Sequence, residues 1–168
     1  EFRNRIDEEI TANLRNESEY KLSVDLKKLA IEKSEFQLPE AFLKRWLLKV
    51  NEKTTEELVE KEFDNFSHDL KWQLIRNKIA RTNELKITEE ELLKEAEKIT
   101  RYQFSQYGLF YATDEQVENY AKETLKREED AKRIADKILE EKVSLILKDI
   151  VKLENKSVSI EEFNKLFE

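Results

Sequence analysis

Ile79-Ala80-Arg81-Thr82-Asn83-Glu84-Leu85-Lys86-Ile87-Thr88-Glu89-Glu90-Glu91 reads as a helix stop followed by a capped restart. Thr88 and Glu91 have the spacing of a capping box. The threonine hydroxyl takes an amide at the start of the new helix, and the glutamate carboxylate returns to the amide of the threonine. Working outward, the same signal recurs at Thr54-Thr55-Glu56-Glu57, Thr113-Asp114-Glu115-Gln116 and Ser159-Ile160-Glu161-Glu162. Each marks a helix start.

The stretches between these signals carry helical periodicity. Phe2, Ile6, Ile10 and Leu14 step by four, and Leu22, Leu26, Leu29 and Ala30 resume the stripe after a polar stretch at 15–19. This predicts one long helix or two nearly collinear ones, roughly 45 to 50 Å in length at the helical rise. It should end near Phe36, because Pro39 disfavours helical geometry at Leu38 and itself suits a first helical turn. A second helix is expected over 39–50, with Phe42, Leu43, Trp46, Leu47 and Val50 on its apolar side and a break at Asn51-Glu52-Lys53. A third carries Phe63, Phe66, Leu70, Leu74, Ile75 and Ile79. After the least polar loop of the chain, at 107–111, the positions Val117, Tyr120, Ala121, Leu125, Ala131, Ile134, Ala135, Ile138 and Val143 trace another long helix reaching Val151. Residues 151–160 are expected to be extended and 161–167 to form a short terminal helix.

Composition supports an all-α fold. Sheets turn on Gly, Asn-Gly or Pro, and the 168 residues hold one glycine, Gly108, and one proline, Pro39. Charged residues make up 41% and apolar ones 39%. Against roughly 25% charge in an average domain, this predicts a folded chain with much surface for its core. We find no internal repeat, linker composition or sustained heptad, and expect residues 1–168 to form one continuous domain.

The same composition excludes most chemistry. There is no cysteine, hence no disulfide, thiolate nucleophile or zinc-thiolate site. A single glycine cannot build a phosphate-cradling loop. His68, the sole histidine, sits between Ser67 and Asp69 on a predicted helix, where sequence neighbours point apart, and reads as a surface or interface residue. Glu89-Glu90-Glu91 and Glu128-Glu129-Asp130 lack the alternating acidic loop and glycine of a calcium site, and read as a capped helix start and a solvated face. No catalytic residue, metal or cofactor is expected. A net charge of −7 argues against nucleic acid and anionic membranes as partners. No apolar run approaches the roughly 20 residues that span a bilayer.

What remains are apolar side chains beyond the evident needs of a core. Tyr102, Phe104, Tyr107, Leu109, Phe110 and Tyr111 crowd around Gly108, and Trp46 and Trp72 lie on predicted helices. Each set has two readings, a packed joint or core seal on one side and an exposed patch that meets other polypeptides on the other.

The passage 79–90 resembles the turn that joins two helices in the carboxy-terminal domain of bacterial trigger factor. Phe36-Gln37-Leu38-Pro39-Glu40-Ala41 is similar to that family's apolar-Pro turn after its first long helix. Leu139-Glu140-Glu141-Lys142-Val143 and Val158-Ser159-Ile160-Glu161-Glu162-Phe163-Asn164 match in the same order, the latter at the family's carboxy-terminal end. The resemblance implies an extended helical body with two protruding arms forming an open cradle. It implies an ATP-independent cytoplasmic chaperone that shields nascent or unfolded polypeptides near the ribosome. The chain is then expected to be a fragment of a longer protein. The ribosome-binding and prolyl isomerase domains of the family have no counterpart in it, so ribosome contact and isomerase activity would belong to the full-length protein. A weak homodimer is compatible with this reading. The competing class is a helical adaptor or assembly scaffold that recognises one folded partner through Trp46, Trp72 or the 102–111 cluster.

Overall fold

The computed structural model describes residues 2–50 and 54–167, the side chains of residues 2–4 and 9 excepted. The break expected at Asn51-Glu52-Lys53 and the Phe2 end of the first stripe lie outside the described residues. The described elements are α1 (Phe2–Glu32), α2 (Glu40–Val50), α3 (Glu56–Thr82), α4 (Glu89–Gln106), α5 (Asp114–Leu125), α6 (Glu128–Ile150) and α7 (Ile160–Asn164), followed by a 3₁₀ turn, Lys165–Phe167. Among the described residues there is no strand, and the fold is all-α.

Local chemistry explains the ends. The first stripe is one helix of 31 residues. It stops at Glu32 rather than near Phe36, because the Ser34 hydroxyl donates to the Ile31 carbonyl at 2.6 Å and competes with continuation of the helix. Pro39 precedes α2, and its carbonyl accepts from the amides of Phe42 and Leu43, both at 3.0 Å. α3 closes in a Schellman arrangement: Leu85 N–H donates to the Ala80 carbonyl at 2.9 Å and Glu84 N–H to the Arg81 carbonyl at 3.2 Å. Glu84 adopts the left-handed conformation that this motif demands, at φ 51°. Thr88, Thr113 and Ser159 form complete capping boxes with Glu91, Gln116 and Glu162.

Two further expectations are corrected. At the start of α3 the cap is Thr55, whose hydroxyl accepts from Leu58 N–H at 3.2 Å. The residue three positions on is therefore Leu58, which cannot return a hydrogen bond, and only half of a box forms. The long helix expected from Val117 to Val151 is two helices, broken at Lys126 and Arg127. Apolar spacing runs through this break, and no Ser, Thr, Asp or Asn marks it. Glu128, Glu129 and Asp130 thus lie in the acidic first turn of α6, where the helix dipole favours negative charge, and not in mid-helix; Glu128 and Glu129 are solvated there.

The chain groups into two compact units, Glu1–Asn77 with Leu147–Glu168, and Lys78–Ile146. In the first, Leu26 of α1 and Val59, Phe63 and Trp72 of α3 are buried. Lys27 reaches Asp69 at 3.2 Å, tying α1 to α3, and Lys44 reaches Glu60 at 2.7 Å, tying α2 to α3. Lys44 also lies 4.8 Å from the centre of the Phe63 ring, within cation–π range.

In the second unit α4 packs on α5. Ala96, Ala121, Ile134 and Ile138 form a buried cluster, against which Ile87, Leu92, Leu93, Ile99 and Leu125 pack. Lys142 of α6 fastens the turn before α4, donating to the Lys86 carbonyl at 2.6 Å and pairing with Glu91 at 2.6 Å. The Lys142 hydrogen bond, and after it the Thr88 backbone amide, hold the Glu91 carboxyl below the ordinary glutamate range. In α7, the Ser159 amide and then its hydroxyl do the same for Glu162.

A depressed folded pKa contributes stability that is fully present above the unfolded value, about 4.3 for glutamate, and is lost as pH falls through the folded value. The urea midpoint is therefore expected to be flat near neutrality and to fall as the solution is acidified through and below the ordinary glutamate range. Glu91→Gln keeps an acceptor for the Thr88 amide but loses the charge. It should lower the neutral midpoint and make the acid decline shallower. An unchanged decline would show that the Lys142 pair does not contribute.

Candidate functional site

The end of α4 and the start of α5 are closed by opposite devices. Leu109 N–H donates to the Phe104 carbonyl at 2.8 Å and Gly108 N–H to the Ser105 carbonyl at 3.1 Å, a second Schellman closure. Gly108 supplies its left-handed residue at φ 74°, a conformation that costs other residues about 1–2 kcal/mol. After residues 107–112, Thr113 caps α5. Arg101 of α4 spans the turn to Asp114 in the first turn of α5 at 2.6 Å. Closure at both ends ties the backbone without requiring burial of the side chains between.

Those side chains stay in solvent. Tyr107 is 82% exposed, Leu109 54%, Phe110 73% and Tyr111 95%, and Tyr102 on the last turns of α4 is 67% exposed. Phe104 is half-buried, its ring meeting Tyr120 of α5 edge-on with centres 5.3 Å apart. The structure thus brings Tyr102, Phe104, Tyr107, Leu109, Phe110 and Tyr111 to one end of the α4–α5 pair. Phe104 anchors, and the other residues form an exposed apolar patch.

The two tryptophans part company. Trp72 is 5% exposed and belongs to the core of its unit, so the reading of it as a contact residue is corrected. Trp46 is 45% exposed on α2, with Phe42 and Val50 exposed at its i−4 and i+4 positions. Phe42 and Val50 went unrecognised as candidates because their spacing is also that of a core stripe. On α2 the half-buried positions are instead Leu43, Lys44, Leu47 and Leu48.

Several ionisable groups outside this patch are held in local pairs. His68 lies on the α3 surface, its ring nitrogen 3.9 Å from Asp69, beyond hydrogen-bond reach. Among the described residues, no group of three His, Asp or Glu side chains is placed to hold a metal ion. Glu90 pairs with Lys94, Glu91 with Lys142, and Asp130 with both Arg127 and Arg133. No described helix is long and apolar enough to cross a membrane.

Comparison with known proteins gives one family. Residues 18–167 match the family described as "Probable trigger factor, C-terminal domain", a span that takes in the whole second unit and most of the first. No curated protein and no solved structure matches the chain. The helix stop at 79–86 with its capped restart, and the Ser159 box near the carboxy-terminal end, lie within that span. Matched from α1 to its last 3₁₀ turn, the chain belongs to the trigger factor carboxy-terminal domain family, a chaperone family.

Proposed function

We propose that the chain binds unfolded or nascent polypeptides through exposed apolar patches, without ATP, and in the cytoplasm supports folding of chains emerging from the ribosome. The observation that carries this reading is the 102–111 patch. Large apolar residues are held in solvent at the end of a firmly capped helix pair, and a cluster of this kind marks a surface for other polypeptides.

Each client side chain fully buried on such a patch gains about 1.5 to 3 kcal/mol. Ordering the client offsets much of that, so affinity falls in the micromolar range, on the order of −8 kcal/mol. Weak contacts release when the client buries its own apolar residues, and no nucleotide is required. The high surface charge keeps the empty patch soluble.

The test is an aggregation assay with a chemically denatured model protein. The chain is expected to delay aggregation in proportion to its concentration, with no response to added ATP. Failure both to delay aggregation and to bind unfolded chains overturns the proposal.

A second reading rests on α2. Phe42, Trp46 and Val50 form an exposed stripe at helical spacing, the pattern of a helix that docks in a partner's groove. Tight binding to one folded partner, with indifference to unfolded peptides, would favour an adaptor over a chaperone.

A further inference from the structure

α4, α5 and α6 enclose a cleft of about 290 Å³ in the second unit. This is at the small end of ligand sites, which run from about 300 to 1,000 Å³, and suits a single large side chain rather than a whole cofactor. Its wall is mixed: Ala96, Ile99, Ile134 and Tyr120 give it an apolar side, and Thr100, Gln103 and Thr124 line it with them. Its rim is cationic.

Arg127, Arg133 and Lys137 line the cleft, and a single carboxylate, Asp130, lines it with them. Asp130 accepts from Arg127 Nε at 2.7 Å and is also paired with Arg133 at 2.6 Å, so two guanidinium groups share one negative charge. The Asp130 side chain is 17% exposed, whereas those of Arg127 and Arg133 are 65% and 81% exposed. Lys137 pairs with Glu95, whose carboxylate is likewise largely shielded while the ammonium group is half exposed. Solvent therefore meets the cations rather than their partners. In a chain of net charge −7, this is a local surplus of positive charge beside a hollow whose apolar side is formed by Ile99, Ile134 and Tyr120.

We propose that this cleft takes an apolar side chain from an acidic segment of an unfolded polypeptide, with the neighbouring client carboxylate pairing to Arg133 and Arg127. The inference rests on the reading of the chain as a polypeptide-binding chaperone domain. It adds a class of client that the overall charge would otherwise repel. Tyr120 links the two features, since its ring borders the cleft and meets Phe104 beneath the exposed patch.

The probe is a short fluorescent peptide carrying a Phe-Asp pair, compared by anisotropy with the same peptide carrying Phe-Asn. The unmodified chain should bind the Asp peptide about threefold more tightly, the effect expected of one exposed ion pair. High salt should erase the difference. Arg133→Gln, which leaves Arg127 to pair with Asp130, should reduce the preference, and Arg127→Gln with Arg133→Gln should abolish it. Arg133→Gln alters only an exposed helix position, so its thermal unfolding should match that of the parent chain.

Equal binding of the two peptides by the parent chain, or a preference that survives the double substitution, overturns this inference alone. If neither peptide binds, it falls together with the chaperone reading.

Discussion

Trp72→Ala is expected to destabilise the chain by about 3–5 kcal/mol, the loss typical of removing a buried aromatic. Trp46→Ala should cost about 1 kcal/mol or less, as expected for a surface position. Both tryptophans sit on helices, yet Trp72 is buried, as are Leu26, Val59 and Phe63 of the same unit, while Trp46 faces solvent for nearly half its surface. Lys27 of α1 lies 6.0 Å from the centre of the Trp72 ring, so the ring sits where α1 meets α3. The indole nitrogen of Trp72 is buried with no hydrogen-bond partner among the described residues. Trp72→Phe keeps an aromatic ring, removes that donor and leaves a smaller cavity, and should cost less than Trp72→Ala. Urea unfolding followed by circular dichroism measures all three variants, and iodide should quench Trp46 but not Trp72. A Trp72→Ala variant as stable as Trp46→Ala would refute the assignment of Trp72 to the core.

The reason these two residues could not be separated from sequence is physical. A stripe at i, i+4 spacing says that one face of a helix is apolar, but not whether another helix covers it. Phe42, Trp46 and Val50 have such spacing and stay exposed, whereas Phe63 and Trp72 are covered. Capping was more legible, because a box is closed by residues within one turn. Thr88, Thr113 and Ser159 needed no tertiary information, and all three boxes form. The break between α5 and α6 escaped for the converse reason. Arg127 offers its backbone carbonyl to Ala131 N–H at 3.0 Å, and the turn is set without a capping side chain. The 102–111 cluster was visible as a cluster, but its exposure depends on Gly108 and on closure of both flanking helices. The cleft was not visible at all, since Ile99, Tyr120 and Arg133 come from three helices.

Replacing Tyr107, Phe110 and Tyr111 together with serine is expected to weaken binding of unfolded clients at least tenfold while leaving folding stability within about 0.5 kcal/mol of the parent. The stability half follows from exposure. These residues lie 73–95% in solvent, so the folded state gains little from them. The backbone that presents them is tied by the Gly108 turn, by the Thr113 box and by the Arg101–Asp114 pair, none of which the substitutions touch. The binding half follows from area. A client that buries even one of the three rings forfeits about 1.5 to 3 kcal/mol when the ring is removed, and 1.4 kcal/mol is already tenfold in affinity. Serine keeps the turn polar and soluble, so lost binding cannot be ascribed to aggregation of the variant. Anisotropy with a permanently unfolded client measures affinity, and thermal unfolding measures stability. Trp72→Ala should show the opposite pattern, losing stability while its patch residues remain in place. A triple-serine chain that holds clients as well as its parent would remove the 102–111 patch from the binding surface.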